Sequence, residues 1–322
     1  PAFAEQISIN DKVALRDQEG VLVSVLTVTD RFPTALVAAR VGGREYHPVC
    51  LAGTVEGVEA PVHHDFRRRR LSPRELTSQF SKLGWHRILG FATQGPLHQR
   101  EVNETYNAAR ETEASLLVNV AVGAVKAEDA AHYANVHCIE HALEHFPQHT
   151  TDLVLTPLYA RTADIDDVLL HALVLKNQGC THYQVDRHYC PASTTGLDFE
   201  KTQELLSTFD EKVGITLVHT DRMVHSAKRG GYVLRRDLAP GEIVDELSTD
   251  EFIERLQSDL AIPVWYTYPE LVRELKKIHR PCAQQGITVF FTGLSGSGKS
   301  SIANALLVKM METGGRPITL LD

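Results

Sequence analysis

The stretch Ile287-Thr-Val-Phe-Phe-Thr-Gly-Leu-Ser-Gly-Ser-Gly-Lys-Ser300 joins an apolar run to a glycine-rich loop of the form GxxxxGK[ST]. This pattern predicts a strand over 287–292, a phosphate-binding loop over 293–300 and a helix that follows the loop. Glycines let backbone N–H groups turn inward around phosphate oxygens, and the helix presents its positive N-terminal end to the same anion. The stretch therefore predicts a nucleoside triphosphate site on an α/β fold.

Two side chains of this loop have predicted chemical roles. Lys299 is the predicted catalytic residue, because its ammonium group would reach the β- and γ-phosphates. The hydroxyl group of Ser300 is a predicted ligand of Mg²⁺. The residues predicted to bind ATP are Gly293, Leu294, Ser295, Gly296, Ser297, Gly298, Lys299, Ser300 and Ser301.

The sequence around the loop, from Phe291 to Leu306 and from Gly314 to Asp322, resembles the N-terminal segment of adenosine 5′-phosphosulfate (APS) kinase. The resemblance implies transfer of the ATP γ-phosphoryl group to the 3′-hydroxyl of APS, which gives PAPS. Asp322 matches the first aspartate of the family's Asp-Gly-Asp, so the resemblance implies a place at or near Mg²⁺. The family's remaining elements lie beyond residue 322, and we expect the chain to be part of a longer protein.

The composition limits the class of protein. A length of 322 residues predicts two to three domains, and 43% hydrophobic with 23% charged residues is typical of a soluble globular protein. A net charge of −8 argues against nucleic acid as a partner. The five cysteines show no CxxC spacing, which favours reduced thiols and a cytoplasmic location. Since no apolar run approaches the ~18 residues that span a bilayer, we expect no membrane partner.

The hydrophobic pattern divides the chain. Residues 1–66 are rich in strand-like runs, and Ser72-Pro-Arg-Glu75 is a capping box that predicts a helix start. From Arg87, strands alternate with helices, which predicts a parallel sheet covered on both faces, with ligands beyond the carboxyl ends of its strands. The predicted strands are 88–93, 115–121, 152–156, 181–185 and 215–219, and the predicted helices are 99–114, 127–146, 164–178 and 198–212.

The loop after the first of these strands, Phe91-Ala-Thr-Gln-Gly-Pro-Leu-His-Gln-Arg-Glu101, looks like that of ATP sulfurylase, which joins ATP and sulfate into APS. Matches such as 171–182 and 262–270 extend the resemblance over nearly all of residues 1–277. The resemblance implies a multi-domain α/β fold. Its predicted domains are a β-rich, PUA-like domain (1–84), a Rossmann-like nucleotidyltransferase domain (85–221), a small connector domain (222–280) and the incomplete start of a P-loop kinase domain (281–322).

The family signature is altered at the positions that would contact the reacting groups. Gln94 replaces an Arg, Gly95 an Asn and Glu101 a His of the family's Gln-Thr-Arg-Asn-Pro-x-His-x-x-His, while Pro96 and His98 persist. A later motif keeps only Arg187. Losing one donor at a developing charge costs on the order of 10²–10³ in rate. We therefore expect a degenerate sulfurylase site formed by Gln94, Gly95, Pro96, His98, Glu101 and Arg187.

These observations predict an APS kinase, with ATP and APS as substrates, Mg²⁺ as cofactor and a homo-oligomeric assembly, fused to a sulfurylase-like domain that is inactive. Two alternatives stay open. The sulfurylase site could be rebuilt with Arg100, Arg161 and Arg187, which would give a fully bifunctional sulfate-activating enzyme. Alternatively, the sulfurylase-like domain could serve as a non-catalytic regulatory or oligomerisation module.

Two further patterns favour a structural explanation over a catalytic or ligand-binding one. His137, His141, His145 and His149 recur every four residues and could in principle ligate zinc, but an exposed polar face is favoured because no further ligand completes a tetrahedral site. The basic run 67–70 is short for a phosphate-backbone site, which favours a solvated face or carboxylate partners.

Overall fold

The computed structural model describes residues 6–17, 20–33, 49–60, 62–122, 130–158, 165–185, 208–218, 220–279, 288–313 and 318–321. The chain divides into two compact units, Pro1–His279 and Arg280–Asp322. Residues Arg187 and Asp322 lie outside the described residues. The domain limits predicted at 84, 221 and 280 stay predictions.

The N-terminal part of the first unit is an antiparallel sheet of β1 (Lys12–Arg16), β2 (Leu22–Pro33) and β3 (Val49–Gly57), in that order. The turn between β1 and β2 is fixed by Asp17, whose carboxylate accepts a hydrogen bond from the backbone N–H of Val21 at 2.9 Å. The strand-like runs predicted in this region therefore form a sheet.

Helix α1 (Pro73–Leu83) begins as its capping box predicts. The Ser72 hydroxyl accepts a hydrogen bond from the Glu75 N–H at 3.3 Å, and the Glu75 carboxylate accepts one from the Ser72 N–H at 2.8 Å. Leu76 and Phe80 are buried, whereas Leu83, at the end of the helix, is 52% exposed. The helix ends there because the chain turns away at Gly84, which has a left-handed conformation with φ of 72°.

The basic run precedes α1 and packs against the α/β part. Arg70 donates to the Asp65 carboxylate from Nε at 3.1 Å and from Nη2 at 2.7 Å, and His132 Nε2 lies 2.9 Å from Asp65 Oδ2. Arg69 lies 3.3 Å from the carboxylate of Asp152. The run thus has carboxylate partners, as the sequence favours, and these contacts tie residues 65–70 to the sheet.

The centre of the first unit is a five-stranded parallel sheet with strand order β6-β5-β4-β7-β8. Its strands confirm the predicted alternation, with shorter β7 and β8 than expected. The elements, in chain order, are β4 (Ile88–Thr93), α2 (Gln99–Glu111), β5 (Ser115–Ala121), α3 (Ala130–Leu143), β6 (Thr151–Thr156), α4 (Ile165–Asn177), β7 (His182–Gln184), α5 (Asp210–Val213) and β8 (Thr216–Val218).

Helices cover both faces of this sheet, and alternate residues of β4 enter two separate cores. Ile88 and Ala92 pack with the helices α1 and α4, while Leu89 and Phe91 pack with α2 and α3. All six residues of β4 are buried, as expected for a central parallel strand. A Cβ at Gly90 would lie 2.7 Å from Leu175 Cδ2, so a larger residue would force the buried Leu175 side chain to shift.

Residues 222–279 form a smaller part with β9 (Met223–Ser226), β10 (Gly231–Leu234), α6 (Thr249–Gln257) and α7 (Pro269–Ile278). The strands β9 and β10 pair in an antiparallel hairpin. Its core contains Phe252, Leu256, Leu271 and Leu275, together with Cys138 from α3. The connector is therefore packed on the α/β part through a shared core.

In the second unit, helix α8 (Lys299–Thr313) follows the glycine-rich loop as predicted. The strand predicted over 287–292 is wrong for residues 288–292, which are assigned no strand, and Phe290 is 86% exposed. A β-strand needs a hydrogen-bonded neighbour, and among the described residues of this unit none pairs with it. Ile287 lies outside the described residues.

Differences at element ends are small and local. The helix predicted over 99–114 ends at Glu111, because Glu113 takes a positive φ of 50°. The helix predicted over 198–212 is described only from Asp210, and the rest of that range lies outside the described residues. Within the described ranges, no helix is both long and apolar enough to cross a bilayer.

Candidate functional site

A cleft of about 1060 Å³ opens beyond the carboxyl end of β4. One wall is the β4–α2 loop with the start of α2, and the other is the connector, including β9, β10 and the segment before α7. Ligands of open α/β sheets bind at the carboxyl ends of the strands. The cleft therefore lies where the sequence predicts a nucleotide site.

The β4–α2 loop brings together most residues of the predicted sulfurylase site. Gln94, Gly95, Pro96, His98 and Glu101 all line the cleft. The sixth, Arg187, lies outside the described residues. Immediately after the strand, the Gly95 N–H donates a long hydrogen bond to Thr93 Oγ1 at 3.4 Å.

Arg100 and Glu101 form an ion pair at the start of α2, in the wall of the cleft. The guanidinium donates to Glu101 Oε1 from Nη2 at 2.6 Å and from Nε at 3.1 Å. Burial favours the protonated form of Glu101, but Arg100, His98 and the hydrogen bonds to the carboxylate together outweigh it and keep the Glu101 pKa below its usual value. Burial likewise opposes the charge of Arg100, but Glu101 and Glu104 raise the Arg100 pKa. Both groups are therefore ionised.

His98 docks the loop on the connector. Its Nδ1 lies 2.9 Å from Thr267 Oγ1, and its ring contacts Phe252 and Tyr266 at centroid distances of 5.0 and 4.8 Å. The next residue adds a backbone contact, because the Gln99 N–H donates to the Tyr266 carbonyl oxygen at 3.1 Å. These contacts hold the two walls of the cleft together.

The connector contributes functional candidates that sequence reasoning missed. His225 Nδ1 lies 2.8 Å from Asp245 Oδ2, and the imidazole stacks on Trp265 with a centroid distance of 5.3 Å and an interplanar angle of 14°. Tyr232 Oη donates to the Trp265 carbonyl oxygen at 2.9 Å. Arg222 lines the same cleft. Arg222 and Trp265 lie in stretches that resemble the family, whereas no spacing signal connects His225, Tyr232 and Asp245 to the loop.

The second predicted site is the glycine-rich loop. Gly293, Gly296 and Gly298 have φ angles of 152°, 79° and 85°, which favour glycine. The ammonium group of Lys299 donates to the carbonyl oxygens of Gly293 at 3.0 Å and Leu294 at 2.9 Å, so the loop closes around the lysine. Ser300 lies in the first turn of α8, where its hydroxyl is near the positive helix end.

The metal ligands predicted from the sequence are Ser300 and Asp322. Across the described ranges, no group of three or more His, Cys, Asp or Glu side chains could hold a metal ion. The histidines of α3 have separate partners: His137 lies 3.4 Å from Glu140, and His145 stacks on Tyr268 at a centroid distance of 3.6 Å. The polar-face interpretation of these histidines is therefore favoured by the structure.

A parallel sheet with a cleft at its carboxyl edge, and a glycine-rich loop followed by a helix on a second unit, are typical of nucleotide-binding α/β proteins. Residues 67–278 match the family model described as ATP-sulfurylase. Because this match spans more than half of the chain, the chain belongs to the ATP-sulfurylase family. Residues 285–322 match the model described as adenylylsulphate kinase, so the C-terminal stretch is APS kinase-like.

Curated relatives are similar over nearly the whole chain. The sulfate adenylyltransferase of Mycosarcoma maydis is 33% identical, and the match covers 99% of this chain and 59% of the relative. That of Neurospora crassa is 34% identical, with 96% and 57% covered. A solved structure described as a hexameric APS kinase from Thiobacillus denitrificans is 33% identical with a TM-score of 0.83, covering 100% of this chain and 60% of that chain. The chain thus spans less than two thirds of the length of these relatives.

These comparisons contradict the prediction of an APS kinase fused to an inactive sulfurylase-like domain. The relatives that match nearly the full chain are named sulfate adenylyltransferase, and the kinase-like match covers only the short C-terminal stretch. The prediction rested on altered family motifs, chiefly three substitutions in one loop. It did not anticipate that the connector supplies Arg222 and His225 to the same cleft.

Proposed function

We propose that this chain is part of a sulfate-activating enzyme that joins ATP and sulfate into APS with release of pyrophosphate, in the cleft at the carboxyl edge of the sheet. The observation that carries the proposal is the cleft itself. Both of its walls come from the segment that matches the ATP-sulfurylase family, and cationic and hydrogen-bonding groups line it.

The reaction needs charge stabilisation more than proton transfer. Sulfate attacks the α-phosphorus as a dianion, so no proton has to leave the nucleophile, and the bond to pyrophosphate breaks. Fixed donors must therefore bind the anions and the charge that develops between them. Arg100, Arg222 and His98 are the groups of the cleft suited to this role, while Gln94 offers an uncharged amide donor.

The APS kinase-like stretch supports a second reaction in the same protein. The residues 293–301 would bind the triphosphate of ATP, with Lys299 stabilising charge on the transferred phosphoryl group. The Ser300 hydroxyl is a hard oxygen donor, the kind that Mg²⁺ prefers, and Mg²⁺ would neutralise phosphate charge when bound. Asp322 stays the proposed second ligand. The APS formed in the cleft would then be the acceptor for phosphorylation.

Further parts of the proposal concern the whole protein. A homo-oligomer is supported by the solved relative described as hexameric. The PUA-like character of residues 1–84 rests on the sequence resemblance alone. A cytoplasmic location rests on the cysteines, of which Cys50, Cys138 and Cys180 are free thiols within the described residues.

The deciding experiment measures sulfate-dependent exchange of labelled pyrophosphate into ATP by the full-length protein that contains these residues. Only adenylyl transfer to sulfate performs this exchange. We expect exchange that rises with sulfate concentration and disappears when sulfate is omitted. A protein that binds ATP but shows no sulfate-dependent exchange would refute the proposal and favour a non-catalytic nucleotide-binding module.

The second reaction is tested separately by measuring APS-dependent formation of ADP. We expect Lys299→Ala to lower this rate by on the order of 10² or more, because a fixed charge at the transferred group is lost. An unchanged rate in Lys299→Ala would exclude the loop as the site of phosphoryl transfer.

A further inference from the structure

Arg100 presents an unused donor edge to the cleft. Glu101 accepts from Nε and Nη2, which form the side edge of the planar guanidinium. Within the part of the chain that the structure describes, Nη1 makes no hydrogen bond. Nη1 and the second N–H of Nη2 form the end edge, whose fork geometry suits two oxygens of a phosphate. Glu101 therefore fixes the plane of Arg100 while leaving this edge available.

His225 repeats this arrangement on the opposite wall. Asp245 binds Nδ1, and Trp265 stacks on one face of the ring. Tyr232 contacts the ring edge-on at a centroid distance of 5.4 Å. Among the described residues, none forms a hydrogen bond with Nε2. A histidine held by a carboxylate at one nitrogen has a fixed tautomer and orientation, so the other nitrogen is directed at whatever binds there.

The two groups face one continuous space. Both line the same cleft, and a chain of ring contacts connects its walls, from His98 to Tyr266 at 4.8 Å, to Trp265 at 6.0 Å and to His225 at 5.3 Å. Arg100 belongs to α2 and His225 to β9, so they approach a ligand from different elements. Two donors on separate walls suit an extended anion with several phosphate groups better than a single tetrahedral one.

We propose that Arg100 and His225 form the polyphosphate-binding pair of the cleft, with Glu101 and Asp245 holding their orientation. The pair would take the phosphate chain of the nucleotide and the pyrophosphate that leaves. This inference deepens the proposed function and rests on it for the identity of the reaction. It also explains how the cleft retains cationic groups although Gln94 and Gly95 stand where the family loop has Arg and Asn.

The test is calorimetric titration of the full chain with inorganic pyrophosphate. All proteins carry Lys299→Ala, so that the glycine-rich loop competes less for the ligand. We expect Arg100→Gln and His225→Asn each to raise the Kd at least about tenfold, since a hydrogen bond to a charged group contributes about 1.5–3 kcal/mol. Arg100→Lys should bind with intermediate affinity, because it keeps the charge but loses the planar fork.

Matched controls lie outside the cleft. Arg236→Gln removes an exposed arginine that pairs with Asp221, and His141→Asn removes a histidine on the surface of α3. Both should leave the Kd unchanged. Asp245→Asn tests orientation, because it should weaken binding on its own and add nothing in the His225→Asn background. A purely structural role of Asp245 would give additive losses instead.

The outcomes separate this inference from the proposed function. If the unaltered cleft binds no pyrophosphate, or if Arg100→Gln, Arg100→Lys and His225→Asn all bind as tightly as the controls, the inference is overturned. Binding that depends on both residues, in a protein without sulfate-dependent exchange, would support the pair while refuting adenylyl transfer. Exchange that persists in both variants would support the reaction and refute the pair. Circular dichroism of each variant confirms that it is folded.

Discussion

Asp65 allows a direct test of how strongly its ion pair with Arg70 stabilises the fold. Its carboxylate accepts two hydrogen bonds from Arg70 and lies 2.9 Å from His132 Nε2, while the Arg70 side chain is only 10% exposed. Asp65→Asn keeps the size of the side chain but leaves the guanidinium without its counter-charge. Removing one partner of a buried ion pair costs about 3–5 kcal/mol, and the partial exposure of Asp65 places the expected loss near the lower end, at about 3 kcal/mol.

The pH dependence gives a second magnitude for the same residue. Burial alone would raise the pKa of Asp65, but the hydrogen bonds from Arg70 and His132 prevail and lower it from 3.8 to about 2. A carboxylate with a depressed pKa stabilises the fold fully above its unfolded pKa, and the contribution is lost as the pH falls from near 4 toward 2. The difference corresponds to about 2 kcal/mol of unfolding free energy.

The assay is urea denaturation followed by circular dichroism at pH 7 and across the acid range. The control is Asp221→Asn, which removes an exposed carboxylate that pairs with Arg236 and should change stability by less than about 1 kcal/mol. We expect Asp65→Asn to unfold at clearly lower urea and to lose the Asp65 part of the acid dependence. Equal urea midpoints for the two variants would refute the argument.

Three further predictions concern the first unit. Ser72→Ala should lower the unfolding free energy by about 1 kcal/mol in urea denaturation, because the start of α1 loses its cap. Gly90→Ala should cost about 1–3 kcal/mol, since the added methyl group overlaps Leu175, whereas Gly57→Ala, which meets open space, should be nearly neutral. Burial lowers the pKa of His171 from 6.5 to about 4, against a smaller opposing effect of Asp167. The folded protein therefore favours neutral His171, and the stability that this contributes is lost as the pH falls below 6.5. Between pH 6.5 and 5 we expect a loss of about 2 kcal/mol, which His171→Gln should largely remove in denaturation measured at both pH values.

The sequence predicted best where one local signal decides the structure. The limits of β4 and β5 agree with the predicted 88–93 and 115–121, because apolar runs of this length between turn residues form buried parallel strands. The capping box at Ser72 fixes the start of α1 through contacts three residues apart. Such signals depend on neighbours along the chain and are therefore visible in the sequence.

The candidate site was only half predictable for the opposite reason. The β4–α2 loop follows directly from the strand–helix pattern, so the place of His98 and Glu101 could be anticipated. The second wall depends on how the connector docks, and the contact of His98 with Thr267 joins residues far apart in the chain. No spacing rule identifies the pair of His225 and Asp245, whose backbones meet in an isolated antiparallel bridge.

Chemical labelling of Cys138 can report how firmly the connector packs on the α/β part. Its thiol is fully buried among Leu271 and Leu275, and burial, reinforced by Glu274, raises its pKa to about 12. A maleimide or disulfide reagent can reach it only when α7 separates from α3. The labelling rate of Cys138, compared with that of the more accessible Cys50, therefore measures how often the connector separates from the α/β part, and a ligand that bridges the two parts should slow the modification.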